Sequence, residues 1–334
     1  MIGVNNTHQN ATINFGIFYT CMGIFGFILT TFGLSANSIL IYIFTTDKYF
    51  RKTHYILMLV SVISDTISNT TAFFSSAFLL RINSDYLSAF ISCKIITYVI
   101  FTSYAISIFN LILIALDRYM SLVKPMNMLY RNHKNRLLIV YEMAILIIST
   151  STTIPFLFFS GTSKQDTKLC DFPDITLKVS IYLVFSAILY FILPSITTAI
   201  LYWQIIINRR HYIRPGQSSI FRDSLRKQRL IKILIKISLV YILSTCPCCI
   251  VLIALAITQK SLLQIRNQSF ALYILTLLCM SATTSISVFN SLLYLKFDGN
   301  IAAKFKKIFG TRRFFGDINT VSITVSSHSR KSSQ

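Results

Sequence analysis

The stretch LILIALDRYMSLVKP, residues 111–125, ends a long apolar run with Asp117, Arg118 and Tyr119 side by side. Charges in such surroundings are tolerated when paired, and a pair can open to release a cation. A second acid, Asp65, lies in LMLVSVISDTISN and is the only acid in the middle of an apolar segment. Asn37, Ser107, Ser287 and Asn290 lie in three other apolar segments and could gather around it. A carboxylate among hydroxyls and amides suits a small hard cation or a water network. A protonated Asp bonding neighbouring helices is the other reading, and both stay open.

Other chemistry is poorly represented. The five histidines (His8, His54, His133, His211 and His328) fall in tails or loops. No Ser/His/Asp set, HExxH or phosphate-cradling glycine loop is present, so no catalytic residues are assigned and the chain is not read as an enzyme. The CPCC at 246–249 looks like a ligand cluster, but no His shares its segment and Pro247 points to a helix kink, so no metal is expected. Pro194 predicts a second kink. Glu142, near the end of its segment, is assigned no role.

The elements that position these groups follow from composition. The chain has 334 residues, 54% hydrophobic and 13% charged, with mean hydropathy +0.62. Soluble domains are roughly 45–50% apolar and about 25% charged, so the contrast fits a polytopic membrane protein. Seven apolar stretches are each long enough to span: about 16–45, 54–80, 91–122, 136–160, 177–208, 229–258 and 269–297. The first is too long for a signal peptide and has no basic start. The expected fold is an all-α seven-helix bundle over 16–297, after an extracellular tail over 1–15. An amphipathic surface helix over 298–310 and a cytoplasmic tail over 311–334 complete it.

The net charge of +21 would suggest nucleic acid if read alone, but its distribution argues otherwise. With the N-terminus outside, 25 of the 32 Lys and Arg fall on inner segments and 7 on outer ones. Residues 1–15 carry none. That asymmetry predicts a plasma-membrane orientation with the C-terminus inside, and the basic side facing anionic lipid rather than nucleic acid. The sequons at Asn5 and Asn10 then lie outside and are expected to be glycosylated. Asn69-Thr70-Thr71 matches the same pattern inside a span and should stay unmodified.

Seven spans with Asp-Arg-Tyr at the inner end of the third resemble the rhodopsin-like (class A) G-protein-coupled receptors. Cys93, 25 residues before Arg118, is similar to that family's cysteine at the outer tip of helix three, and Cys170 occupies the loop of its usual disulfide partner. Asn37, Asp65, Pro194 with Tyr202, Pro247, and NSLLY from Asn290 to Tyr294 resemble the motif residues of the remaining helices. The resemblance implies a sodium or water site at Asn37, Asp65, Ser107, Ser287 and Asn290, with sodium as an allosteric ion rather than a cofactor. Several positions depart from the pattern. Ser291 replaces the motif proline, Thr245 a tryptophan, Ile286 a common asparagine, and Lys227 an acid that usually pairs with the helix-three arginine.

The resemblance implies a receptor that activates a heterotrimeric G protein through Asp117, Arg118, Tyr119, Tyr202 and Tyr294. Ser322, Thr324, Ser326, Ser327 and Ser329 could meet a kinase and an arrestin. With Lys227 in place of the acid, basal activity is expected to be raised. Ile100 replaces the aspartate of amine receptors, and Thr284 the lysine of retinal receptors. A small peptide meeting Asp85, Asp166, Asp171 and Asp174 is the preferred ligand. A chemosensory receptor for a small or lipid-like ligand is the alternative, and a membrane transporter a more distant one.

Overall fold

The computed structural model describes residues 2–80, 85–124, 128–210 and 218–310; side chains are not described for 2–15, 54, 128–131, 209–210, 218–234, 237 and 309. Asn5, Asn10, Lys227 and the serine-rich tail therefore lie outside the described side chains. Seven helical stretches are long and apolar enough to cross a membrane: Gly16–Thr46, Tyr55–Leu80, Tyr86–Leu122, Asn132–Phe159, Leu177–Asn208, Ser238–Thr258 and Phe270–Phe297. The chain is a multi-pass membrane protein with the expected bundle.

These stretches belong to α1 (Ile2–Thr46), α2 (Thr53–Leu80), α3 (Tyr86–Leu122), α4 (Met128–Thr153) and a short α5 (Pro155–Phe159). A hairpin follows, β1 (Gly161–Ser163) antiparallel to β2 (Asp166–Asp171). Then come α6 (Leu177–Ala187), α7 (Leu193–Arg210), α8 (Ser218–Thr258), a seven-residue α9 (Leu262–Gln268), α10 (Phe270–Phe297) and α11 (Gly299–Phe309). The third span starts at Tyr86, five residues before the expected 91, because extended Asp85 lets the helix begin there.

Long apolar runs become helices because hydrocarbon offers no partner for a bare backbone amide. Their hydroxyl residues add little cost. Thr66 bonds back to Val62 O at 2.7 Å and Thr70 to Thr66 O at 2.8 Å, satisfying donors within the helix. Glycines set how closely α1 approaches its neighbours. A Cβ on Gly33 would fall 2.7 Å from Val288 Cγ2, and one on Gly26 2.5 Å from Ser76 Oγ. Close helix approach through small residues is the usual route to packing in lipid.

Pro194 acts through its missing N–H. A wide turn, Ile188–Ile192, joins α6 to α7 directly before it. The carbonyl four residues back, Tyr190 O, instead accepts from the Tyr104 hydroxyl of α3 at 3.3 Å. Pro247 sits inside α8, which continues through it.

Two apolar clusters fill the bundle. One holds Leu40, Tyr55, Ile114, Tyr202, Tyr241 and Tyr294, at the Asp-Arg-Tyr end. The other holds Phe156, Phe172, Leu183, Tyr190, Leu252 and Tyr273, toward the hairpin. The Cys93–Cys170 disulfide ties β2 to α3. At the opposite end Asp298 caps α11 through Asn300 N and Ile301 N, and left-handed Gly310 ends it. Buried Ile301 and half-buried Phe305 hold α11 to the bundle, and Lys304 Nζ reaches Asp47 Oδ2 at 2.9 Å. That lysine holds the Asp47 carboxyl below its ordinary value.

Candidate functional site

At the end of α3, Asp117 is buried and Arg118 half-buried. Proximity in sequence suggests that the two neutralise each other. The structure brings a different cation closer: Lys134 Nζ of α4 lies 2.6 Å from Asp117 Oδ1, whereas Arg118 Nε stands 4.0 Å from Oδ2. Asp117 is therefore not held by Arg118 alone, and Arg118 Nε is buried without a hydrogen-bond partner among the described residues. Consecutive helical residues point about 100° apart, so they cannot both meet one target squarely. Tyr119 is half-buried, with Lys124 Nζ 5.9 Å from its ring centre. Tyr202 and Tyr294 are buried in the adjoining apolar cluster. The Tyr202 hydroxyl faces Ser238 of α8 without closing a hydrogen bond.

Deeper in the bundle the five polar residues meet, but as two groups. Asp65 Oδ1 accepts from Ser107 Oγ at 2.9 Å, and Oδ2 from Asn290 Nδ2 at 3.2 Å. Asn37 does not touch Asp65. Its Nδ2 donates to Ser287 O at 3.4 Å, and its Oδ1 accepts from Ser291. Ser287 Oγ donates to Asn69 Oδ1 at 2.8 Å. Asn69, fully buried, is thus an interhelical contact inside α2. Its signal was present: it follows Asp65 by four residues and shares its helix face. Ser291, where the motif proline would stand, supplies a hydroxyl that proline lacks.

Asn290 Oδ1 and Asn69 Nδ2 are buried without partners among the described residues. An unsatisfied carbonyl beside a carboxylate and a serine hydroxyl is an oxygen donor set of the kind a small hard cation uses.

Toward the hairpin a cavity of about 370 Å³ opens between the helices, within the range of small-ligand sites. It runs from Tyr19 and Phe172 down to Asp65, Ser107 and Ser287. Its walls are mainly apolar, with Phe18, Met22, Ile100, Phe101, Leu277 and Met280 among them. Beside its mouth, Arg266 binds Asp166 and donates to Tyr19 OH at 3.1 Å. Tyr19 OH also meets Asp166 Oδ2 and Tyr273 OH, each at 2.9 Å. This cluster joins α1, β2, α9 and α10. Burial, the largest single influence, would lower the Arg266 pKa; the bonds and charges of Asp166 and Tyr19 together more than offset it, and the net shift is upward.

The four acids expected at this end divide. Asp85 and Asp174 are exposed. Asp166 is engaged with Arg266, and Asp171 turns inward. Asp171 Oδ1 accepts from Phe172 N at 2.7 Å and Oδ2 from Leu263 N at 3.0 Å, in the first turn of α9. Burial pushes the Asp171 pKa up, partly countered by these amides. Nothing local in the sequence separates the engaged acids from the exposed ones, or marks Lys134; each depends on a contact between distant segments.

A family model described as 7 transmembrane receptor (rhodopsin family) matches residues 36–294. Proteinase-activated receptor 1 of Xenopus laevis is 28% identical over 222 residues, covering 64% of this chain and 51% of that protein. The tachykinin-like peptides receptor 86C of Drosophila melanogaster is 29% identical over 139 residues, 41% of this chain and 26% of that receptor. Lysophosphatidic acid receptor 6 of Gallus gallus is 29% identical over 186 residues, 53% of this chain and 59% of that receptor. The chain thus spans about half the length, or less, of the first two relatives.

Proposed function

Because the chain belongs to the rhodopsin family of seven-transmembrane receptors, we propose that it converts binding of an extracellular ligand into activation of a heterotrimeric G protein. The family's members are receptors rather than enzymes. The observation that carries the reading is the placement of one ligand-sized cavity and one charged cluster, buried Asp117 with Arg118 beside it, at opposite ends of the same helix, α3. Ile100 and Ser107 line the cavity, and Asp117 and Arg118 close the far end.

The hairpin end faces outward and the Asp-Arg-Tyr end faces the cytosol, in keeping with the excess of Lys and Arg at the latter. A ligand that binds one packing of the bundle better than another shifts the population toward it. The shift moves α8 relative to α3, frees Arg118 and opens a cleft for the G protein, with Tyr202 and Tyr294 steadying the open form. Asp65, Ser107 and the Asn290 carbonyl would hold a sodium ion that stabilises the resting packing. A kinase and an arrestin acting on the serine-rich tail complete the proposal.

The ligand is a small peptide whose terminal segment enters the cavity. Receptors for peptides among the relatives support this reading. A lipid-like ligand is the second reading, favoured by the apolar walls and by the lysophosphatidic acid receptor among the relatives. The test is Arg118→Ala in cells carrying promiscuous G proteins. Nucleotide exchange, basal or ligand-driven, should be lost while surface expression persists. Normal exchange in that variant would sink the assignment.

A further inference from the structure

The cavity carries its own statement about the charge of what fills it. Among the described residues, the ionisable Asp, Glu, Lys and Arg side chains lining it are Asp65, Lys168 and Asp171. Asp171 already accepts two backbone N–H groups. Asp65, at the deep end, already accepts from Ser107 and Asn290. Lys168, projecting from β2 near the mouth, is the lining cation. Its ammonium donates to Leu79 O at 3.3 Å, next to the last residue of α2.

An ammonium has three donors, and a helix carboxyl end holds it only by partial charge. Two donors remain for a full anion, which outcompetes a partial one where water is thinned. Ser75 lines the same cavity and adds a hydroxyl. The field at the mouth has the same sign. Between 85 and 94, 160 and 178, and 259 and 269, six Lys or Arg face four Asp; Arg266 and Asp166 neutralise each other, Asp171 is engaged inside the fold, and the balance stays positive. Below Lys168 the walls are mainly apolar, down to a polar floor at Asp65, Ser107 and Ser287.

We propose that the ligand of this cavity is anchored by an anionic group, a carboxylate or phosphate at the end of an apolar body, seated on Lys168. This rests on the receptor reading above and deepens it. For a peptide the group is a free C-terminal carboxylate, with the apolar side chains next to it filling the space among Ile96, Ile100, Phe101 and Leu277. The four acids at this end then serve the fold and the surface, and do not select a cationic peptide.

The experiment uses the full chain in nanodiscs of neutral lipid. The probes are apolar tetrapeptides ending in Leu or Phe, each as free acid and as amide, and oleoyl lipids bearing a phosphate or a phosphocholine head. Binding is read as a rise in thermal midpoint, and coupling as nucleotide exchange. A free acid, the phosphate lipid or both should bind; the amides and the phosphocholine lipid should bind at least about tenfold more weakly. Lys168→Gln, which can still donate to Leu79 O, should lose that preference, and Lys168→Arg should keep it. Binding by acids alone assigns a peptide, and by the phosphate alone a lipid. Equal binding of acid and amide, unchanged preference in Lys168→Gln, or silence of every anionic probe overturns the proposal. The receptor reading fails separately, through unimpaired exchange in Arg118→Ala.

Discussion

Lys134 Nζ and Asp117 Oδ1 lie 2.6 Å apart, closer than any approach between Asp117 and the adjacent Arg118, whose Nε stands 4.0 Å away. The acid of the Asp-Arg-Tyr set is thus shared, and α4 holds a portion of the pairing that otherwise restrains the arginine. Lys134→Met should return Asp117 to Arg118 and lower basal nucleotide exchange, on the order of fivefold for an ordinary coupling free energy. Asp117→Asn should raise it. Basal exchange that is unchanged in Lys134→Met would remove Lys134 from the switch.

Asp65 with Ser107 and the unsatisfied Asn290 carbonyl gives a specific salt test. Sodium chloride should raise the thermal midpoint of the purified chain relative to potassium chloride, because an ion bound only by the folded state stabilises it. Asp65→Asn should abolish the difference. Equal midpoints of the wild type in the two salts count against an ion here.

Ser291→Pro restores the residue of the family pattern, yet it should harm this chain. The hydroxyl bonds to Asn37 and Ser287 O disappear, together with a backbone N–H inside α10. A helix-interior proline costs about 3 kcal/mol or more. Ser291→Ala loses only the hydroxyl and should cost about 1–3 kcal/mol, the range for a buried polar partner left unpaired. Thermal midpoints in the order wild type, Ala, Pro would bear this out; a Pro variant as stable as the wild type would contradict it.

Asp47 and Lys304 supply a pH test. The Asp47 carboxyl is held below its ordinary value of 3.8 by the Lys304 hydrogen bond and by the Tyr49 amide. A carboxylate with a lowered folded-state pKa favours the docked form above the ordinary value and loses that contribution as pH falls through the lowered one. A fluorophore on α11 should therefore report tighter docking in wild type than in Asp47→Asn at neutral pH. The two should converge below pH 3.8. The pair is exposed enough that high salt should shrink the difference as well.

Much of the architecture was legible along the chain. Hydropathy and length placed six of the seven spans within five residues; the sixth begins at Ser238 among the described residues rather than at 229, and a helix Gly299–Phe309 lies where 298–310 was expected to be helical. Cys93 and Cys170 stood out as the two cysteines bordering polar loops, the family likeness paired them, and the structure bonds them. The polar core was half legible. Its members were nameable because polar groups are conspicuous in apolar runs, but their grouping was not.

Sequence by itself determined which segments leave water and which end carries the basic charge, because hydropathy and helical period are local properties. Tertiary structure decided which side chains meet: Lys134 with Asp117, Ser291 with Asn37, Asp171 with the first turn of α9, Tyr104 with the carbonyl released by Pro194. Those choices depend on how each helix is rotated and how closely glycines let it approach. Both are settled by packing across the whole bundle, since lipid outside the helices prefers no one rotation of an all-apolar surface.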